Sequence, residues 1–426
     1  MKKLEIIGVE INKVSLTQLF FNKTMLLSYI LLAIGIYGIY EVILERYFIE
    51  AANAFDAGMH PGSKHIAEAM KEAIFGNGGE VKRESPWTIY IANYMYMIYS
   101  GSGIIFIVAL AELFNVKIIK KTAAGFMTLG LCIVFAGLFT IALDLNVLHM
   151  QWMFLTPNFG AGMWLMLPLY SIYIPFVIFE IYLLITKNQK WVKKIAFSIL
   201  LLSIAIDIVE YYIQAKLFDM NTARHLWVTY PNLTLYFIIS AFVASCGMMN
   251  LYATIKYKNN HPSEYEELSK FLINITLLCI MALAAYEATA FLLIDKNWAN
   301  VILFGRFKYD FYVYIFFAIV IPFTFLLLKL LNYKRLNIFV VFASISIIIG
   351  TYIGRLIFVY GGNAYPMSNR FGSGFEKYGE YTVIQEYIYF SPTINEICIV
   401  VGSIGVIFLT YSLLETFLNV SSIRKH

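Results

Sequence analysis

Ten long apolar segments alternate with shorter polar stretches along the 426-residue chain. Every backbone polar group must be paired inside a lipid bilayer, so the segments are predicted to be helices that each need about 20 residues to cross about 30 Å. The predicted spans are 24–46, 88–114, 123–147, 162–186, 191–213, 233–256, 270–294, 309–333, 337–359 and 394–418. The predicted fold class is therefore an all-α polytopic membrane protein with about ten transmembrane helices.

Composition indicates the same class. Hydrophobic residues make up 60% of the chain and charged residues only 14%, whereas soluble domains carry about 25% charged residues. The first apolar segment is too long for a signal-peptide core and lacks a small-residue cleavage site, so it is expected to remain as a helix. The chain contains no Walker-type glycine loop and is not expected to hydrolyse nucleotide.

Basic residues mark alternate loops. Lysines cluster before span one, between spans two and three, and between spans four and five. The positive-inside rule makes these loops cytoplasmic, so residues 1–23 are predicted to be a cytoplasmic N-terminal segment and 419–426 a cytoplasmic tail. The net charge of +5 follows from this topology and indicates no nucleic-acid partner.

Several polar side chains share one depth inside the spans. They are Asp144, Asp207, Glu210, Glu287 and Arg355, late in odd-numbered spans, and Asn93 and Glu396, early in even-numbered spans. Because successive spans run in opposite directions, all are expected in the outer leaflet. A charge in hydrocarbon costs roughly 3 kcal/mol or more, so each must face a bundle interior, a partner or water. The pattern predicts a polar chamber in the outer leaflet.

Cysteine and histidine placement argues against redox groups held by this chain. The four cysteines lie inside spans without C-x-x-C spacing, which disfavours an iron–sulfur cluster or a disulfide framework. Only His149 of the six histidines lies at a span end, whereas a b-type cytochrome needs paired ligands facing each other inside the bundle. We expect neither haem nor an iron–sulfur cluster, and no metal site.

A weak internal repeat is present. Span three contains Leu131-Cys132-Ile133 and span seven contains Leu278-Cys279-Ile280. Each would be the second helix of a four-helix unit. The repeat predicts twin bundles at 87–213 and 233–359, flanked by spans one and ten.

Three stretches carry a family resemblance. They are Ser85-Pro86-Trp87 before span two, Gly350-Thr351-Tyr352-Ile353-Gly354-Arg355 in span nine, and Ser391-Pro392-Thr393 with Glu396 at the start of span ten. In this order and spacing they resemble the NrfD/PsrC family, the haem-free membrane subunits of polysulfide-reductase-like complexes. The resemblance covers roughly residues 85 to 418, and the ten-span count is similar to the larger branch of that family. Many members have a basic residue shortly after Asp144, which is missing here.

The resemblance implies a membrane anchor and quinone-exchanging subunit of a multi-subunit oxidoreductase of anaerobic respiration. Residues 24–418 would be the transmembrane quinone-reactive domain in the plasma membrane of a prokaryote, with both termini cytoplasmic. It would pass electrons between a membrane quinone, menaquinone-type or other, and a four-cluster ferredoxin-like iron–sulfur subunit at the outer face. That subunit would serve a molybdopterin catalytic subunit, so this chain would not reduce the terminal substrate itself. Proton translocation stays open.

A quinone site needs hydrogen-bond donors to two carbonyls and a titratable relay to water. Asp207 and Glu210 lie three residues apart on one helical face, which suits a proton relay. The expected catalytic residues are Glu287, Asp144 and Arg355, and the expected quinone-binding residues are Asn93, Tyr96, His149, Tyr286 and Glu396.

Three alternatives remain at this point. Arg355 would pair with an acid if its role were only to hold two helices together. Asp144 and Glu210 lie near span ends, where water-exposed interface residues also occur. A proton-coupled secondary transporter would also need buried acids and an arginine, although carriers place their sites near the midplane.

The long loops 47–86 and 360–393 are the expected docking surface for an iron–sulfur partner.

Overall fold

The computed structural model describes residues 3–6, 8–12, 14–15, 19–43, 87–144, 155–186, 189–220, 225–293, 299–331, 337–364 and 391–423. In this part of the chain, ten helices are long and apolar enough to cross a membrane. They are α1 (Lys23–Ile43), α2 (Ile89–Leu113), α3 (Lys117–Asp144), α4 (Gly162–Ile185), α5 (Gln189–Asp219), α7 (Leu233–Lys256), α8 (Pro262–Leu292), α9 (Lys308–Leu330), α10 (Asn337–Asn363) and α11 (Ile394–Leu418). A short helix, α6 (His225–Thr229), precedes α7. The predicted all-α polytopic fold with ten spans is confirmed.

Several helices are longer than the apolar segments that predicted them. Helix α3 begins at Lys117 rather than near 123, α5 ends at Asp219 rather than near 213, and α8 begins at Pro262 rather than near 270. Proline is well suited to the first helical turn because its missing N–H would have no intrahelical partner there. Hydrophobicity therefore predicts the apolar part of each helix, while backbone hydrogen bonding lets the helix continue past the predicted span.

A small hairpin lies at one end of the helices. Strands β1 (Lys3–Ile6) and β2 (Val9–Asn12) pair antiparallel, and Asn12 Nδ2 donates to the Thr416 carbonyl oxygen at 3.3 Å, near the end of α11. We call this side the hairpin face and the opposite side the far face. The alternating helix directions place the end of α2 and the start of α3 at the hairpin face. The assignment of the hairpin face to the cytoplasm remains a prediction.

Glycines let two helix pairs approach closely. A Cβ added at Gly402 of α11 would lie 2.6 Å from the Gly35 Cα of α1. A Cβ added at Gly101 of α2 would lie 2.7 Å from the Gly130 carbonyl oxygen of α3. Lipid supplies no hydrophobic force between helices, so such backbone contact provides the van der Waals packing that holds them together.

Helix α2 lies at the centre of the helix packing. It contacts α3, α5, α7 and α10, while α1 packs on α11, which in turn contacts α3. Most α2 side chains are buried. Polar side chains on α2 are thus shielded from lipid. The division into twin bundles at 87–213 and 233–359 remains a prediction.

Helix α9 is interrupted by a π-helical turn at Phe316–Val320. The Ser346 hydroxyl of α10 donates to the Phe317 carbonyl oxygen at 2.6 Å, which ties this turn to α10. Such turns insert one extra residue and shift the rotational setting of the helix on either side. The turn follows directly after the segment that carries Tyr314.

Candidate functional site

Arg355 of α10 is surrounded by aromatic rings. Its side chain is 3% exposed. The guanidinium carbon lies 4.7 Å from the ring centroids of Tyr99 and Phe237 and 5.2 Å from that of Tyr236. The Nη2 atom donates to the Ser240 hydroxyl at 2.6 Å. A planar, weakly hydrated guanidinium suits such a site better than an ammonium group.

Arg355 has no acidic partner in the part of the chain that the structure describes. The ion pairs found there are Lys216–Asp219 and Lys256–Glu415, and neither involves this arginine. Its Nη1 atom is buried and has no hydrogen-bond partner among the described residues. An acid that pairs with Arg355 to hold two helices together is thus not found among the described residues. Buried polar groups are nearly always paired, so this charged donor is available to a ligand or to water.

A narrow cavity opens beside Arg355, between α2, α7, α9 and α10. We call it the arginine cavity. Its empty volume is about 280 Å³ when the space open to solvent is included, and the space that a water-sized sphere can occupy is sufficient for about one water molecule. A ring-shaped ligand must therefore push side chains apart to enter. The lining residues are Tyr96, Tyr99, Ser100, Tyr236, Ser240, Ala241, Ala244, Tyr314, Thr351 and Arg355.

Glu287 of α8 stands behind the cavity wall. It is 7% exposed, and its Oε1 accepts a hydrogen bond from the Tyr314 hydroxyl at 2.7 Å. Its Oε2 is buried and has no hydrogen-bond partner in the described part of the chain. Tyr314 itself lines the cavity, so Glu287 contacts the cavity through this phenol. A carboxyl group hydrogen-bonded to a phenol can hold a proton close to a ligand.

Tyr96 and Tyr286 also belong to this region. Tyr96 lines the cavity, and its hydroxyl donates to the Ile348 carbonyl oxygen at 3.0 Å. Tyr286 does not line the cavity: its ring stacks on Tyr236 with centroids 5.3 Å apart, and its hydroxyl donates to the Pro231 carbonyl oxygen. Tyr286 thus supports a wall residue from behind.

Asp207 and Glu210 lie on α5, in the interior of the helix packing, and both are 0% exposed. Glu210 Oε1 accepts from the Tyr170 hydroxyl at 2.7 Å and from Gln214 Nε2 at 3.2 Å. The Tyr173 hydroxyl lies beside Asp207, although neither Asp207 oxygen meets full hydrogen-bond geometry with a described residue. The alternative in which Glu210 is a water-exposed interface residue is wrong, because α5 turns this face inward. The relay role of the two acids remains a prediction.

Tyr211 and Tyr99 lie between these acids and the arginine cavity. The Tyr211 hydroxyl donates to the Tyr99 carbonyl oxygen at 3.1 Å, and the Ser102 hydroxyl lies 3.1 Å from the same phenol oxygen. The two tyrosine rings are stacked with centroids 5.3 Å apart. The other side of Tyr99 faces Arg355. The two polar regions are therefore separated by a single aromatic wall.

Other expected site residues lie away from the cavity. Asn93 Nδ2 donates to the Thr140 and Ser403 hydroxyls at 2.9 and 3.1 Å, and so links α2 to α3 and α11. Glu396 forms a capping box: its carboxylate accepts from the Thr393 N–H at 3.1 Å, and its own N–H donates to the Thr393 hydroxyl at 3.2 Å. Neither residue lines the arginine cavity. These contacts are structural, and a quinone-binding role for either residue remains a prediction.

Asp144 is the last residue of α3. His149 lies outside the described residues, as do residues 47–86 and most of 360–393. Their expected roles at the site and in docking remain predictions.

Several residues of this region are not among those that the sequence pattern predicts for the site. Tyr99, Tyr236 and Tyr314 line the cavity, although tyrosine is also common at a lipid interface. Spacing of three residues between Tyr96 and Tyr99 on α2 was the available signal. Two further acids also went unnoticed. They are Glu180, which is 4% exposed, and Glu112, whose Oε1 is buried, and both lie in the half nearer the hairpin face. Buried acids are thus not confined to one leaflet.

Comparison with known proteins identifies the family. A comparison with curated proteins finds no significant match. The family model described as polysulphide reductase NrfD matches residues 79–366, which include α2 to α10 and every residue that lines the arginine cavity. This match covers more than half of the 426 residues. The chain therefore belongs to the NrfD polysulphide reductase family of membrane proteins.

Proposed function

We propose that this chain is the membrane anchor and quinone-exchanging subunit of a multi-subunit oxidoreductase, with the arginine cavity as its quinone site. NrfD proteins interact with quinones and normally partner with iron–sulfur and molybdopterin subunits. In this role the chain passes electrons between a membrane quinone and an iron–sulfur subunit at the far face. The reduction of the terminal substrate takes place in another subunit.

The observation that carries this proposal is the state of Arg355. A cation buried among aromatic rings, without a carboxylate among the described residues and with an unused N–H donor, is costly to maintain. A quinone offers what the site lacks, because its carbonyl oxygens accept hydrogen bonds and its flat ring packs against tyrosines. The donor set therefore fits this ligand.

The residues around the quinone would each have a different role in the reaction. Reduction of a quinone adds two electrons and two protons, and oxidation of the quinol removes them. Arg355 Nη1 would donate to one carbonyl oxygen and polarise it. Tyr314 would contact the ligand from α9 and exchange its proton with Glu287, whose Oε1 lies 2.7 Å from the phenol oxygen. The rings of Tyr99 and Tyr236 would hold the quinone plane and exclude water.

The position of the cavity suits a partner at the far face. Arg355 lies eight residues before Asn363, the end of α10, which is about 12 Å at 1.5 Å per residue. An aromatic cluster fills the space on that side: the rings of Trp87 and Trp227 are 4.8 Å apart, and Trp227 also packs on Phe358. Docking through loops 47–86 and 360–393 is part of this proposal. Family membership favours this redox role over the transporter alternative.

The test is quinone binding to the purified complex, with cavity-filling variants. Ala244→Val adds two methyl groups to the cavity lining, while Ala253→Val adds the same volume to a buried position of α7 outside it. Both changes cost similar packing energy, about 1–3 kcal/mol. Only Ala244→Val is expected to weaken binding of a short-chain naphthoquinone, by about tenfold.

Binding is measured by fluorescence quenching at equal amounts of assembled complex. Wild-type affinity in Ala244→Val would move the quinone site away from the arginine cavity. Equal weakening in both variants would point to a general packing defect and would also count against the assignment.

A further inference from the structure

Four buried carboxylates form a series that leads from the arginine cavity to the hairpin face. We call Glu210, Asp207, Glu180 and Glu112 the acid series. Glu210 and Asp207 lie on α5, Glu180 lies on the neighbouring α4, and Glu112 lies in the last turn of α2. Three of them are almost fully buried; Glu112 is partly buried, and its buried Oε1 has no hydrogen-bond partner among the residues that the structure describes.

Helical geometry places these acids in order of depth. Ser203, Asp207 and Glu210 are spaced by four and three residues, so they share one face of α5 and cover about 10 Å along its axis. The Ser203 hydroxyl donates to Glu180 Oε2 at 3.2 Å, which brings the series across to α4. Glu112 is next to the final residue of α2 at the hairpin face.

Each acid is close enough to the next to interact electrostatically. The interacting pairs are Glu210 with Asp207, Asp207 with Glu180, and Glu180 with Glu112. At the inner end, Glu112 interacts with Lys120, which follows the turn into α3. The four acids therefore follow one another from the middle of the helix assembly to the end of α2.

A purely structural role explains this arrangement poorly. Amide side chains would serve the hydrogen bonds to Ser203 and Tyr170 equally well, and would avoid placing carboxyl groups in a membrane interior. Asp207 is completely buried, and the polar group beside its carboxyl is the Tyr173 hydroxyl, which an amide at position 207 would serve equally well. Arg355 is the sole buried cation among the described residues, and it lies in the cavity rather than in the series. Carboxyl groups differ from amides in that they can carry a proton.

We propose that the acid series is a proton path between the arginine cavity and the hairpin face. The inference rests on the proposed quinone site. When quinol is oxidised, its two electrons pass to the iron–sulfur partner, and its two protons cross the wall at Ser102 and Tyr211 to Glu210. They then pass along the series to water beside Glu112. Quinone reduction runs the same steps in reverse and takes both protons from the hairpin face.

The side of proton exchange is measured on the wild-type complex in liposomes with a trapped pH dye. A membrane-impermeant electron acceptor outside the liposomes selects complexes whose iron–sulfur partner faces outward, so their hairpin face is inside. Short-chain naphthoquinol should then acidify the lumen, and an uncoupler should abolish the signal. Acidification of the external medium alone would overturn the proposal without affecting the quinone site.

A substitution tests the path directly. Glu180→Gln keeps an acceptor for Ser203 but cannot carry a proton, so quinol turnover should fall about tenfold or more while quinone affinity stays at the wild-type value. Glu267→Gln removes an exposed acid from the hairpin-face end of α8 and should change neither quantity.

Wild-type turnover and lumen acidification in Glu180→Gln would refute the path. If that variant does not assemble, the sidedness measurement on the wild type decides the question by itself. Failure of the quinone site would look different, because the wild-type complex would then neither bind quinone nor oxidise quinol.

Discussion

Replacing Arg355 by lysine isolates what the guanidinium plane contributes to the proposed quinone site. Lysine keeps the positive charge, but its compact ammonium group cannot stack on aromatic rings as a flat guanidinium does. It would also be unable to bond Ser240 and a ligand from two separate nitrogens in fixed geometry. The Arg355→Lys variant therefore keeps the positive charge of the site but loses the flat, two-nitrogen geometry of the guanidinium.

The expected magnitude follows from the contacts. A desolvated cation–π contact contributes about 2 kcal/mol or less, and a hydrogen bond to a charged donor about 1.5–3 kcal/mol. Loss of the ligand-directed Nη1 bond alone therefore predicts a quinone dissociation constant that is about 10 to 100 times higher in Arg355→Lys. Arg355→Met should weaken binding at least as much.

Assembly of the Arg355→Met complex tests whether Arg355 belongs to a ligand site or to a structural ion pair. Breaking a buried ion pair costs about 3–5 kcal/mol because the partner charge is left behind. No carboxylate is paired with Arg355 among the described residues, so the methionine variant should assemble in nearly wild-type amounts.

The assay is equilibrium binding of a short-chain naphthoquinone to purified complex, with assembly quantified by size-exclusion chromatography. Arg306→Lys is the matched control: Arg306 bonds Ser391 at the far face and does not line the cavity. Wild-type affinity in Arg355→Lys, or collapse of assembly in Arg355→Met, would refute this account of the arginine.

Three further predictions concern other helices. Glu287→Gln keeps the acceptor for Tyr314 but removes a titratable proton, so turnover per assembled complex should fall well below wild type; unchanged turnover would exclude Glu287 from proton transfer. Gly402→Val forces a side chain into the Gly35 backbone and should cost about 1–3 kcal/mol, seen as a lower Tm; an unchanged Tm would argue against close contact of α1 and α11. Glu396→Ala should lose about 0.5–2 kcal/mol of capping, whereas Glu396→Gln should retain it, and turnover lost in the glutamine variant alone would indicate a role in quinone chemistry.

The membrane topology of this protein could be predicted from the sequence because the signals are local. Each apolar segment must bury its own backbone hydrogen bonds, so length and hydropathy were sufficient to place all ten spans. Helix ends were less predictable. The extensions of α3, α5 and α8 beyond the predicted spans are stabilised by hydrogen bonds that hydropathy does not record.

The candidate site was partly predictable. The cost of a charge in lipid drew attention to Arg355, Glu287, Asp207 and Glu210, and all four are buried. Residue type was a poor guide for tyrosine, because a tyrosine suits both a lipid interface and a protein interior. Apart from the three-residue spacing of Tyr96 and Tyr99 on α2, the sequence did not separate the cavity tyrosines from the exposed tyrosines of the same spans.

The sequence by itself determined which segments cross the membrane and which residues are too polar to face lipid, since both depend on the local free energy of transfer. Only the tertiary structure decided which of these residues meet. Arg355 is surrounded by rings from α2 and α7, Asn93 links three helices, and Glu396 caps α11. These outcomes depend on the rotation and depth of each helix, which are set by close packing between residues far apart in the chain, as at Gly35 and Gly402.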